Sequence, residues 1–134
     1  MVNTELAPQG GGTKQTMKMY RDLIVWKKSM RFVTEIYRCT AAYPKEEVFG
    51  LTSQIRRSAV SIPSNIAEGY GRRSTNEYLR FLQIAMASVY EIQTQLEISR
   101  NLKYLAFGSF EEVYESSREI ERMLSSLISK IRNK

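Results

Sequence analysis

Residues 50–71 read GLTSQIRRSAVSIPSNIAEGYG. Leu51, Ile55, Ala59, Ile62 and Ile66 recur at steps of three and four, so they line one face of a helix. Gly69-Tyr70-Gly71 ends the run, because glycine readily takes the left-handed conformation that follows a helix. A second line, Gln54, Arg57, Ser61, Asn65 and Glu68, keeps the same spacing and forms a polar strip beside the apolar one. Val60, Pro63 and Ala67 widen the apolar arc until more than half the circumference is apolar or small. A surface helix of a monomer needs one apolar face. This one is expected at the centre of a bundle or buried in an oligomer. Pro63 deletes a backbone hydrogen bond at a cost of about 3 kcal/mol. It predicts a kink between Ala59 and Pro63, with Ser58, Ser61 and Ser64 placed to satisfy the freed groups.

Upstream, Leu23, Trp26, Met30, Val33 and Tyr37 repeat at three and four and predict a first helix over about 22–42 with that stripe buried. Asp22 stands where an N-cap belongs, and Tyr43-Pro44 closes the helix. Lys27, Arg31 and Arg38 share a face away from the stripe. Downstream, Ser74-Thr75-Asn76-Glu77 has the form of a capping box opening a long third helix. There Tyr78, Leu82, Ala85, Val89, Ile92 and Leu96 alternate four and three, the spacing of coiled-coil-like packing. Ser109-Phe110-Glu111-Glu112 suggests a second box. The fourth helix carries Val113, Ser117, Ile120, Leu124, Leu127 and Ile131, with acids early and bases late as the helix dipole favours. Long helices joined by short turns predict an all-α, antiparallel up-down-up-down four-helix bundle over residues 19–134, its second helix kinked at Pro63. Its expected core includes Leu23, Trp26, Ile55, Ile62, Ile66, Leu82, Val89, Ile92, Ile120, Leu124 and Leu127. Residues 1–18, with Ala7-Pro8 and three consecutive glycines, have linker chemistry and are expected to be a flexible tail.

The 134 residues suit one domain, and 43% hydrophobic with 25% charged residues is ordinary globular composition. No apolar run approaches the ~18 residues of a membrane span, and the first residues lack a secretory signal, so a cytoplasmic protein is expected. Cys39 is the single cysteine, which excludes an intrachain disulfide, and it is expected to pack as a small apolar residue. There is no histidine, which removes the commonest general base and the commonest metal ligand. No catalytic set, metal or cofactor is therefore expected. Glu68 is the most suggestive carboxylate. With no second acid or nucleophile beside it, it is expected in a structural polar network with Arg57, Ser61 and Asn65, or neutralised by Arg72.

The net charge is +6 and its distribution is uneven. Residues 14–103 hold fifteen basic against eight acidic side chains, while 106–134 hold five of each. A basic surplus of this kind favours a polyanion as partner. The candidate phosphate contacts are Arg56, Arg57, Arg72 and Arg73, with Lys27, Lys28 and Arg31 second.

Three strings carry a resemblance: Leu23-Ile24-Val25-Trp26-Lys27, the stretch from Gly50 to Arg57, and the stretch from Ser61 to Gly69. Together they resemble the four-helix bundle proteins encoded in intervening sequences of bacterial 23S rRNA genes, also called the S23 ribosomal protein family. The resemblance spans about Met19 to Arg132. It implies an antiparallel bundle that assembles as a homopentamer, and a fold similar to the accessory variability determinant of diversity-generating retroelements, a basic pentamer that binds nucleic acid and partners a reverse transcriptase. It implies no catalytic residues. The resulting expectation is a non-enzymatic, oligomeric nucleic-acid-binding protein, RNA before DNA. The alternative is an accessory protein whose partner is a reverse transcriptase or other protein.

Overall fold

Each of the four periodic stretches forms a helix in the computed structural model, which describes residues 19–134; the expected tail, residues 1–18, lies outside the described residues. Helix α1 spans Ile24–Thr40, α2 Leu51–Tyr70, α3 Thr75–Asn101 and α4 Phe107–Arg132. No strand occurs among the described residues. Helix α2 packs against α1 on one side and α3 on the other, α3 against α4, and α4 returns to α1. The chain is an all-helical bundle around one core. Helix α2 runs through Pro63, which is buried.

The seam between α2 and α3 is made close by small residues. The Ser88 hydroxyl donates to Ser61 Oγ at 2.9 Å. A Cβ on Gly69 would stand 2.6 Å from Phe81 Cβ and 3.2 Å from the Tyr78 ring, so only glycine lets the helices meet there. At one end of the bundle, the turn after α1 and the turn after α3 are tied together. Tyr104 donates its hydroxyl to Glu47 at 2.9 Å, Glu47 accepts the Leu51 amide at 3.0 Å, and the Tyr43 and Tyr104 rings lie 5.4 Å apart. Both bonds favour the ionised carboxylate, so they hold Glu47 below the usual carboxylate range, the Leu51 amide most strongly.

Leu23, Ile55, Ile62, Ile66, Leu82, Val89, Ile92, Ile120, Leu124 and Leu127 are buried as expected. Trp26 is not; it packs partly exposed against the core edge. The reason is the register of α1. Its buried residues are Val25, Ser29, Phe32, Ile36 and Thr40, one residue out of step with the expected stripe. Ser29 donates to Val25 O and Thr40 to Ile36 O, each at 2.7 Å. Hydroxyls satisfied by their own helix can be buried at little cost, and they break the apolar pattern that a sequence reader follows.

Two helix starts also differ from expectation. Leu23, and not Asp22, is the N-cap of α1; Asp22 closes a short 3-10 turn and accepts the Met19 amide. Helix α4 begins at Phe107 with Ala106 as N-cap, so Ser109 lies inside the first turn. The Ser74 cap is as read: its hydroxyl accepts the Glu77 amide at 3.1 Å.

Candidate nucleic-acid interface

Helix α1 shows three faces. The first is the buried stripe. The second, about 100° round the helix, is the stripe of Trp26, Met30, Val33 and Tyr37. Met30 is 44% exposed and Tyr37 43% exposed. Against it α2 presents Val60, Pro63, Ser64 and Ala67, and Tyr20 closes one end, leaving an open apolar groove of about 380 Å³. Tyr20 and Trp26 meet edge to face with ring centres 5.2 Å apart. Val60, Pro63 and Ala67 are the extra apolar positions of α2 noted in the sequence, and the groove is where they converge.

The third face is cationic. Lys27, Arg31 and Arg38 are exposed, and none of them has an ion-pair partner among the described residues. Arg31 and Arg38 also line a hollow of about 440 Å³ between α1 and α4, with Lys28, Glu35 and Glu119. Lys28 is engaged there, 2.8 Å from Glu119.

The other candidate cations divide the same way. Arg57 and Arg73 are exposed and unpaired among the described residues. Arg56 has a structural post: its Nε donates to Thr40 Oγ1 at 2.8 Å, its terminal nitrogen to the Tyr37 carbonyl at 3.2 Å, and its guanidinium covers the Tyr37 ring at 4.5 Å. It thus fastens α2 to the last turn of α1. Arg72 is 2.9 Å from Glu68 and lies over the Phe81 ring at 4.7 Å.

The polar strip on α2 splits in two. Asn65 donates to Ser61 O at 2.8 Å and to Ser61 Oγ at 2.9 Å, and Ser88 extends this chain to α3. Glu68 is outside it. It is exposed and pairs with Arg72, four residues on and just past the end of α2, and Arg57 takes no part. The chain turning out of α2 brings Arg72 back to Glu68, while the Asn65 amide takes the nearer Ser61 oxygens instead.

Cys39 is half-buried with its thiol toward the Ile36 carbonyl. Burial and the Glu35 carboxylate push it up to about 11, so it stays a thiol near neutrality. Among the described residues no group of three His, Cys, Asp or Glu could hold a metal ion, and no helix is long and apolar enough to cross a membrane. Two features escaped the sequence reading: the Arg56–Tyr37–Thr40 clasp, which only the fold brings together, and the exposed Phe49, whose signal was the pair Phe49-Gly50 just ahead of a helix.

The model of the family described as 23S rRNA-intervening sequence protein matches residues 21–126. A crystal structure of a protein with unknown function from the S23 ribosomal protein family of Bacteroides thetaiotaomicron is similar, with 28% sequence identity and a TM-score of 0.74. The match covers 79% of this chain and 96% of that one. No curated protein matches the sequence.

Proposed function

Because the chain belongs to the 23S rRNA-intervening sequence protein family, we propose that it works without catalysis, as an oligomeric nucleic-acid-binding bundle in the cytoplasm with RNA as its polyanion. The observation that carries this reading is the adjacency on α1 of an exposed apolar stripe and an unpaired cationic one. Open apolar grooves on soluble proteins mark contacts with partners. A second copy seated on the α1–α2 groove would cover Trp26, Met30 and Val33 and leave Lys27, Arg31 and Arg57 toward its rim. The family resemblance implies five copies. Each copy repeats the cationic stripe, so a long polyanion gains avidity beyond one site's affinity.

Of the candidate cations, Lys27, Arg31, Arg57 and Arg73 are exposed and unpaired among the described residues and so free to meet phosphates, with Arg38 beside them on α1. Arg72 contributes once Glu68 is displaced, and Lys28 and Arg56 contribute least because each already has a partner. Phosphate contacts position without reading bases, so sequence preference is weak and affinity falls steeply with salt. The same apolar groove supports the second reading, an accessory bundle docked on a reverse transcriptase or another protein.

The test combines light scattering with anisotropy of labelled RNA at several salt concentrations, for the wild type and for Lys27→Glu/Arg31→Glu. A multimer whose RNA affinity drops with salt and with the double substitution is the expected result. No RNA binding at low salt would remove this reading and leave the protein-partner one; a 15.5 kDa monomer at micromolar concentration would remove the oligomer.

A further inference from the structure

Between the end of α1 and the first turn of α2 lies a hollow of about 360 Å³, walled by Tyr43, Pro44, Lys45, Val48, Thr52 and Arg56 with the last residues of α1. It shares no residue with the α1–α2 groove or with the hollow between α1 and α4. Two cations line it and no carboxylate does. In the α1–α4 hollow, by contrast, Glu35 and Glu119 stand among the cations. Glu46 and Glu47 belong to the same turn as Lys45, but neither lines this hollow. Glu47 is spent on the Leu51 amide and the Tyr104 hydroxyl. Lys45 has no ion-pair partner among the described residues. Arg56 gives two of the five N–H groups of a guanidinium to its clasp on Thr40 and Tyr37 and keeps the rest.

Thr52 supplies the observation that points to an occupant. It is 6% exposed, and its hydroxyl oxygen is buried with no hydrogen-bond partner among the described residues. The buried hydroxyls of Ser29, Thr40 and Ser99 each bond the carbonyl one helical turn back. Thr52 does not, because the residue four back, Val48, lies in the turn ahead of α2. An orphaned buried hydroxyl is costly and rare, and a bound group accounts for it. Rotation about χ1 exchanges the hydroxyl with the methyl, and threonine on a helix populates both settings, so this hydroxyl has access to whatever fills the hollow. In the same turn the Thr52 and Ser53 amides have no acceptor among the described residues, and the positive end of a helix favours an anion. We infer that the hollow binds a phosphomonoester, with Lys45, the remaining N–H groups of Arg56 and the Thr52 hydroxyl on the phosphate, and Pro44 and Val48 against the organic part. A phosphomonoester carries about −1.5 to −2 charges on three terminal oxygens near neutrality. That suits two cations with several donors better than the single charge and two oxygens of a carboxylate do. The hollow is roughly ten times the ~30 Å³ share of one water and falls in the size range of small-ligand sites. Val48, half exposed, gains a cover. The ester is the end of an RNA strand or a free mononucleotide. A free mononucleotide would bind even a protein that ignores RNA, so the site stands apart from the polyanion reading above.

The experiment is titration calorimetry with uridine 5′-monophosphate and with uridine, beside anisotropy of oligouridine bearing a 5′-phosphate or a 5′-hydroxyl. It uses the full chain at fixed ionic strength as wild type, Thr52→Val and Lys45→Gln. Wild type should bind the monophosphate and not uridine, and each substitution should weaken that binding about fivefold or more. Thr52→Val keeps the shape and removes the orphaned hydroxyl, so without ligand its melting temperature should rise. A merely structural threonine would not pair a more stable protein with a weaker site. If the source is a strand end, wild type also prefers the 5′-phosphorylated strand and both variants lose the preference. If it is a free mononucleotide, the two strands bind alike while the monophosphate is still taken. Equal monophosphate affinity in all three proteins would overturn the site, as would uridine binding as tightly as its monophosphate. A wild type that takes neither the monophosphate nor the 5′-phosphate in preference overturns it too. One that ignores both strands yet binds the monophosphate keeps this site and removes the polyanion reading.

Discussion

The inner and outer stripes of α1 are one residue apart and have opposite fates. Val25, Ser29, Phe32, Ile36 and Thr40 are buried in the core, whereas Trp26 and Val33 pack only partly buried at its edge and Met30 and Tyr37 are exposed. The outer stripe has the larger and more continuous apolar surface; the inner one includes two hydroxyls. Burial was decided by fit. Small side chains that hydrogen-bond to their own helix let α1 approach the bundle closely, while a line of bulky ones cannot enter. An apolar stripe in a sequence therefore says that something covers it, without saying whether that is the same chain.

The sharpest test of this contrast is a pair of truncations. Phe32→Ala leaves a cavity in a fully packed site and should cost about 3–5 kcal/mol in chemical unfolding at any protein concentration. Trp26→Ala should cost a single folded chain much less. Its effect should appear as dissociation by light scattering and as a melting temperature that depends on concentration. Equal losses for both, independent of concentration, would show that the outer stripe also belongs to the core of one chain.

A second comparison sets the closed α2–α3 seam against the open α1–α2 groove. Glycine to alanine inside a helix normally gains up to about 1 kcal/mol. At Gly69 the added methyl meets Phe81 Cβ, an atom fixed to the backbone that cannot swing aside. Gly69→Ala should therefore destabilise by about 1–3 kcal/mol, as overpacked sites do. A gain in melting temperature would mean that α3 can shift away from α2. Arg56→Ala removes two hydrogen bonds and a ring contact at the α1–α2 clasp and should cost about 1–2 kcal/mol. Arg56→Lys should recover only part, because an ammonium cannot reproduce the planar fork over Tyr37. Full recovery by lysine would reduce the clasp to a simple charge.

Three of the four core registers were legible in the sequence. In α2, α3 and α4 the buried stripe is also the most apolar one, so Ile55, Leu82, Val89, Ile120 and Leu124 could be read directly. In α1 the two stripes compete, and the pattern pointed to the one that lies open. The candidate cations could be named, but their freedom could not. Arg56, Arg72 and Lys28 find partners on Thr40, Glu68 and Glu119, at separations from four to ninety-one residues, and for the two long-range ones only the fold decides. The exposure of Phe49 and Phe107 was not legible for another reason: they stand ahead of α2 and at the first residue of α4, before the apolar repeat of either helix begins.

The smallest expected effect separates Glu68 from the part-buried chain of Ser61, Asn65 and Ser88. If Glu68 were a buried member of that network, removing it would strand its partner and cost about 1–3 kcal/mol or more. The structure instead gives it one exposed contact, to Arg72 just past the end of α2, with both side chains about half open to solvent. Exposed pairs of this spacing contribute about 0.3–0.5 kcal/mol. Glu68→Ala should thus shift the melting temperature barely, whereas Asn65→Ala, which breaks two bonds to Ser61, should shift it more. The charge lost at Glu68 also releases Arg72 beside the free Arg73, so RNA affinity at low salt should rise with the same substitution and the gain should fade as salt increases. A destabilisation above about 1 kcal/mol would place Glu68 beneath another copy of the chain. Unchanged RNA affinity would assign the phosphates to the α1 stripe and leave Arg72 and Arg73 outside the contact.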